Sequence, residues 1–111
     1  MLNFDLETER EGTSALVTVR GDFDVQVAEQ VAERLADVEE SEPELLVMDL
    51  SGLSFLDSSG MGVIAAAHAR ARSAGRRFVV VNPPYGVRRA FEISALDEVI
   101  PIAEDVAAVY P

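Results

Sequence analysis

The sequence predicts a single α/β domain: a mostly parallel mixed sheet with an antiparallel strand at its N-terminus, packed against helices. Short apolar runs alternate with segments of helical length along the 111 residues. Two of these runs, residues 45–48 and 78–81, are apolar without alternation, which is typical of parallel strands covered on both faces. Since 49% of the residues are hydrophobic, a chain of this size supports one core, and residues 1–111 are interpreted as one domain.

The N-terminal part of the chain predicts a hairpin followed by an amphipathic helix. Phe4 and Leu6, and then residues 16–19, indicate two strands joined by a turn at residues 11–14. Asp24 follows the second strand and is suited to cap the next helix. The apolar residues of that helix recur at three- and four-residue steps: Ala28, Val31, Ala32, Leu35 and Val38. Pro43 is expected to end it.

The rest of the chain predicts three further strand-and-helix units. The strand at residues 45–50 leads through a turn at Ser51 and Gly52, and then through Phe55 and Leu56, to an alanine-rich helix that runs from Ser58 to about Gly75. The strand at residues 78–81 is followed by a short helix through residues 87–91. A last small strand is expected at Val99 and Ile100, and a terminal helix from about residue 103 to 109.

The start of the alanine-rich helix, residues 57–62, is the strongest candidate for a functional site. Asp57 and Ser58 are residue types that accept hydrogen bonds from the free N–H groups of a first helical turn. Gly60 and Gly62 remove side chains that would keep another backbone or an anion away. Because sites in parallel sheets form beyond the carboxyl ends of strands, Asp24 and Asp57 are predicted to lie near one another.

The composition excludes several classes of function. The chain has no cysteine and a single histidine, His68, so it offers neither a thiolate metal site nor a histidine cluster, and no metal or cofactor is expected. All nine basic residues are arginine, which excludes mechanisms that need a lysine. No apolar run reaches 18 residues and the N-terminus lacks the pattern of a signal peptide, which indicates a cytoplasmic protein without a membrane segment.

The net charge of −11 favours a protein partner over nucleic acid. Residues 1–44 hold 13 acidic residues and three arginines, a net of −10, which would repel phosphate and attract a basic protein surface. The alternative is that the acidity only keeps the domain soluble.

Enzymatic interpretations are weak. A hydrolase elbow requires Gly-x-Ser-x-Gly, but Leu56 and Asp57 stand two residues before Ser58 and Ser59. His68 lies in the middle of a predicted helix and is poorly placed as a base. A phosphate-binding loop and a phospho-aspartate receiver both require a lysine. The protein is therefore not expected to be an enzyme.

The fourteen-residue run at residues 49–62 closely resembles the signature of STAS domains, specifically the free-standing bacterial anti-sigma factor antagonists. Residues 21–24, Gly-Asp-Phe-Asp, resemble the family's Gly-acid-apolar-Asp segment, with Asp22 in place of Glu. Residues 87–96 are similar to its late helix. The resemblance extends over essentially the whole chain.

This resemblance implies a switch protein without catalytic activity. Such antagonists bind an anti-sigma factor that is also a serine kinase and so release a sigma factor; the kinase phosphorylates the antagonist, and a serine phosphatase restores it. Ser58 aligns with the modified serine, and Asp24 and Asp57 with acidic positions beside it. The partner-binding surface is expected to comprise these residues together with Ser59, Gly60, Met61 and Gly62. A monomer or weak dimer that binds neither nucleic acid nor membrane is expected.

Other interpretations stay open for the same residues. Asp57 and Ser58 are also typical helix caps, and Asp24 is either a cap or a partner contact. Gly60 and Gly62 are equally compatible with tight packing of the helix on the sheet. For the whole chain, the alternative function is a STAS scaffold without phosphorylation, or an accessory subunit of a stress-signalling assembly or transporter.

Overall fold

The computed structural model describes residues 3–110 and contains, within that range, one mixed sheet and three α-helices. The strands are β1 (Phe4–Glu11), β2 (Ser14–Phe23), β3 (Leu45–Asp49), β4 (Leu53–Leu56), β5 (Arg77–Val81) and β6 (Ile102–Ala103). The helices are α1 (Val25–Glu40), α2 (Ser58–Ala74) and α3 (Tyr85–Ile93), and two 3₁₀ turns lie at Leu96–Glu98 and Val106–Ala108. None of the described helices is long and apolar enough to cross a membrane.

The sheet has the predicted mixed topology. Five of its strands are ordered β1-β2-β3-β5-β6. The sixth, β4, lies outside this order and pairs with the second half of β2, whereas β3 pairs with the first half. β1 and β2 form an antiparallel hairpin, and every other pairing is parallel. The predicted α/β class and the antiparallel N-terminal strand are therefore confirmed.

The main core lies between the sheet and the helices, which all pack on one face. Alternate residues of β3 and β5 point to this face and meet buried residues of each helix, among them Leu35, Ile64 and Phe91. The other residues of β3 and β5 form a smaller cluster with Val109. Both strands are thus covered on two faces, as their uninterrupted apolar runs predict.

Strand β4 was not predicted, since residues 51–56 were interpreted as a connection. It is only four residues long and exposes Ser54 and Phe55, so it lacks the apolar alternation that indicates a strand. The strand is defined instead by its pairing with β2, in which Phe55 lies opposite Asp22 and Leu56 lies opposite Phe23.

The predicted C-terminal elements are wrong in two places. The last strand is Ile102–Ala103, not Val99 and Ile100. The N–H groups of Val99 and Ile100 donate instead to the carbonyl of Leu96 and close a turn. The expected terminal helix is a single 3₁₀ turn at Val106–Ala108. Ala103 belongs to β6, and the Oδ1 of Asp105 accepts a hydrogen bond from the N–H of Ala108 at 2.8 Å, which caps this short turn.

The first two helices begin and end close to their predicted limits and are joined by an ion pair. Gly75 ends α2 in the left-handed conformation at φ 72°, as C-terminal glycines commonly do. The guanidinium of Arg70 donates to both carboxylate oxygens of Glu39 at 2.7 and 2.8 Å, which links α2 to α1. The two helices lie side by side above the sheet, packed into the same core, with their N-termini at the same edge.

Candidate functional site

The parallel pairing of β2 and β4 brings the starts of α1 and α2 together. Phe23 and Leu56 are paired across these strands, and each strand is followed at once by an aspartate and a helix. Asp24 and Asp57 therefore stand at neighbouring strand ends, which confirms the prediction that they lie near one another.

Asp57 binds the first turns of both helices. Its Oδ1 accepts a hydrogen bond from the N–H of Gly60 at 3.0 Å, which caps α2. Its Oδ2 accepts one from the N–H of Val25 at 3.2 Å, at the start of α1. The N–H of Asp57 in turn donates to the carbonyl of Phe23 at 3.3 Å. This half-buried side chain fixes the two helix starts relative to each other.

Asp24 has a simpler local role. Its Oδ1 accepts a hydrogen bond from the N–H of Gln26 at 3.0 Å and caps α1. The cap that the sequence suggests for Asp24 is thus present. A partner contact by the same carboxylate stays a prediction.

Asp57 and Asp24 are expected to contribute unequally to stability. Asp57→Ala removes acceptors from two helix N-termini and should lower the free energy of unfolding by about 2 kcal/mol, whereas Asp24→Ala removes one cap and should cost about 1 kcal/mol. Urea unfolding of both variants at neutral pH measures the difference. A loss for Asp24→Ala as large as that for Asp57→Ala would contradict the bridging role.

Ser58 is exposed at the first position of α2. Within residues 3–110 its hydroxyl makes no hydrogen bond, and capping is left to Asp57. The backbone N–H groups of Ser58 and of half-buried Ser59 belong to the first turn, so neither has a carbonyl acceptor within the helix. An anion attached to the Ser58 oxygen would therefore meet the positive end of the helix dipole.

The two glycines of α2 have different surroundings. A Cβ on Gly60 would lie 2.7 Å from the carbonyl oxygen of Phe23, 2.9 Å from the ring of Phe23 and 2.6 Å from Leu56. A Cβ on Gly62 would meet nothing within 4 Å. Close packing of helix on sheet therefore explains Gly60 and does not explain Gly62. Met61, between them, is half-buried against the main core.

Three exposed apolar side chains around the helix starts were not singled out from the sequence. Val25 follows β2 and is 69% exposed, Phe55 lies on β4 at 51%, and Tyr85 begins α3 after β5 at 72%. Their strands are parallel and end at the same edge of the sheet as Ser58. Large apolar side chains that gather at one exposed edge are typical of a protein-binding surface. In the sequence, each of these apolar residues lies within four residues of the end of a strand.

A metal site is not formed by the described residues. Nowhere between residues 3 and 110 do three or more histidine or carboxylate side chains gather in a way that would hold a metal ion. The carboxylates of Asp24 and Asp57 are instead occupied by backbone N–H groups.

Similar curated proteins include anti-sigma factor antagonists from two bacterial genera. The chain is 29% identical over 107 residues to the anti-sigma F factor antagonist of Paenibacillus polymyxa, which covers 94% of this chain and 90% of the relative. It is 29% identical over 102 residues to the anti-sigma-B factor antagonist of Listeria monocytogenes, with coverage of 91% and 90%.

A solved structure with a similar fold is an anti-sigma factor antagonist from Mycobacterium paratuberculosis. It superposes with a TM-score of 0.87 at 26% sequence identity, covering 95% of this chain and 89% of that one. The sequence profile of the STAS domain matches residues 5–109, nearly the whole chain. This protein therefore belongs to the STAS domain family.

Proposed function

We propose that this chain is an anti-sigma factor antagonist without catalytic activity of its own. It binds an anti-sigma factor that is also a serine kinase, and phosphorylation of Ser58 ends that interaction. The observation that carries the proposal is the exposed Ser58 hydroxyl, free of internal hydrogen bonds, on a helix start that Asp57 fixes to its neighbour. The names of the relatives from Paenibacillus and Listeria support the same function.

The surface around Ser58 has the composition of a protein-binding site. Val25, Phe55 and Tyr85 supply exposed apolar area, and apolar and aromatic groups dominate the buried centres of protein interfaces. Gly62 lies one helical turn after Ser58 on the same face of α2 and is exposed. Without a side chain there, a partner can approach the helix backbone closely.

Charge favours a basic partner. The chain carries a net charge of −11, and Asp24 and Asp57 lie beside the acceptor serine. A complementary basic surface on the anti-sigma factor would accelerate association and set the orientation of binding. The same acidity disfavours direct contact with nucleic acid. We place the protein in the cytoplasm, where its kinase and a serine phosphatase reach Ser58 in turn.

Phosphorylation at Ser58 is compatible with an intact domain. The phosphate adds a charge of about −1.5 to −2 at neutral pH. At a helix N-terminus the dipole favours such a charge by about 0.3–2 kcal/mol, so the modification acts on the surface and leaves the fold unchanged. The partner, in contrast, meets additional negative charge at the centre of the interface.

The kinase reaction tests the site directly. The partner is first recovered by pull-down with unmodified protein and identified by mass spectrometry. Incubated with it and ATP, the wild type should gain one phosphate, Ser58→Ala none, and Ser59→Ala one. Intact-mass measurement counts the phosphates, and the phosphatase should remove the one that is gained. A phosphate that persists on Ser58→Ala would contradict the assignment.

A further inference from the structure

The second half of α2 borders a cationic groove that the proposed switch does not use. The groove has a volume of about 320 Å³ and lies between α2, β5 and the segment before β6. Its polar lining includes His68, Arg72 and Arg77, and its apolar lining includes Phe78, Val99 and Pro101. Arg72 is fourteen residues beyond Ser58 on the same helix, or about 21 Å along its axis. The groove is therefore separate from the phosphorylation site.

Its cations come from different parts of the chain. His68 and Arg72 are four residues apart and share a face of α2, while Arg77 is the first residue of β5. Arg72 is in the last turn of α2, where the helix dipole favours a cation, but this does not explain Arg77 on a strand. Arg76 also lines the groove, and its Nε donates to the carbonyl of Pro43 at 3.1 Å.

The two exposed arginines have no internal counter-charge. Among the residues that the structure describes, Arg20, Arg70 and Arg89 form ion pairs with carboxylates, and the other six arginines, which include Arg72 and Arg77, form none. Arg72 and Arg77 differ from the other unpaired arginines on the exposed surface because they line the same groove. Two unpaired guanidinium groups that line one concave site are suited to bind an external anion.

The apolar side of the groove indicates that the ligand has an apolar portion in addition to its anionic group. The His68 ring lies against Phe78, with centroids 5.9 Å apart and planes tilted by 58°. Val99 is 49% exposed, so part of its side chain is open to a ligand. A volume near 320 Å³ lies at the lower end of the range of about 300–1,000 Å³ for small-molecule sites. This volume fits a small molecule.

We propose that this groove binds a small phosphomonoester. Its dianionic phosphate pairs with Arg72 and Arg77, because guanidinium groups donate paired hydrogen bonds to phosphate oxygens. Its apolar or ring portion lies against Val99 and Pro101. The site is independent of Ser58, so it stands whether or not the chain antagonises an anti-sigma factor.

Titration of the full chain, labelled with ¹⁵N, with phenyl phosphate tests the proposal at constant ionic strength. The backbone amide signals of Arg77 and Val99 should shift and saturate with a Kd on the order of 1 mM. Inorganic phosphate should bind more weakly, since it lacks the ring. Phenol, which lacks the dianion, should bind at least about tenfold more weakly than phenyl phosphate.

Matched arginine variants distinguish binding in the groove from nonspecific attraction of the ligand to positive charge. The double variant Arg72→Gln/Arg77→Gln should weaken binding of phenyl phosphate at least about tenfold. Arg10→Gln/Arg20→Gln removes the same charge from the hairpin at the opposite edge of the sheet and should leave the Kd within about twofold. Equal weakening in both variants, absence of saturation, or shifts confined to Ser58 and its neighbours would overturn the proposal. So would tighter binding of a hexaglutamate peptide, which would assign the groove to an acidic protein segment.

Discussion

Replacing Gly60 with alanine is expected to lower the free energy of unfolding by about 1–3 kcal/mol, the usual cost of overpacking a dense core. The added Cβ would lie 2.7 Å from the carbonyl oxygen of Phe23 and 2.6 Å from a methyl group of Leu56. The Leu56 side chain is able to move, but the carbonyl belongs to β2, where it also accepts from the N–H of Asp57. Helix α2 must therefore shift away from the sheet at its first turn.

Gly62→Ala is the matched control and should raise the free energy of unfolding, whereas Gly60→Ala lowers it. The same methyl group is added to the same helix two residues later, where nothing lies within 4 Å of its position. Alanine is favoured over glycine in a helix by about 0.5–1 kcal/mol, so this variant should be more stable than the wild type. Thermal unfolding resolves the two effects, since 1 kcal/mol shifts Tm by about 4–8 °C in a domain near this size.

Together the two variants also test the geometry of the site. If Gly60→Ala displaces the start of α2, the hydrogen bonds that Asp57 accepts from Gly60 and Val25 should lengthen, and the amide signals of both residues should move. Gly62→Ala should leave the signal of Val25 unchanged. Equal stability of the two variants would show that α2 is not held against the carbonyl of Phe23.

The helix caps of this site, and the proximity of Asp24 to Asp57, were predictable from the sequence. Asp24 and Asp57 are residue types that cap helices, and each follows a predicted strand in a largely parallel sheet. These two facts suffice to bring them to one edge. The second hydrogen bond of Asp57, to Val25, was not predictable, because it depends on the register between β2 and β4.

What was missed depends on contacts between residues far apart in the chain. Strand β4 is stabilised by its pairing with β2, and nothing in its own four residues distinguishes it from a loop. Gly60 and Gly62 are equivalent in sequence, and only the position of Phe23 separates their roles. At the C-terminus, a hydrogen-bonded turn ends at Ile100 and the last strand lies three residues later than predicted, which apolar patterning cannot show.

Ser58→Asp is expected to weaken binding to the anti-sigma factor by about 10–100-fold, which corresponds to about 1.4–2.7 kcal/mol. The variant places a full negative charge among Asp24, Asp57 and the exposed apolar side chains of the proposed interface. A partner that binds there must desolvate this charge or tolerate it beside its own groups, and both raise the free energy of the complex. Phosphorylated wild type, with more charge, should bind at least as weakly.

The free domain should scarcely respond to the same substitution. Aspartate at the first position of α2 interacts favourably with the helix dipole, by about 0.3–1 kcal/mol, so urea unfolding should show no loss of stability. Ser73→Asp adds an equal charge to an exposed position near the other end of α2 and should change the Kd by no more than about twofold. Isothermal titration calorimetry with the purified partner compares the three proteins.

The outcome separates a surface switch from a structural one. Weaker binding of Ser58→Asp with unchanged stability, and unchanged binding of Ser73→Asp, would mean that charge at one position of the interface controls the complex. If Ser58→Asp bound as tightly as the wild type, Ser58 would lie outside the interface or be unimportant to it. The Ser58 hydroxyl is exposed and makes no hydrogen bond within residues 3–110, so no internal contact would mask the effect of the added charge. Unchanged binding would therefore rule out the switch mechanism.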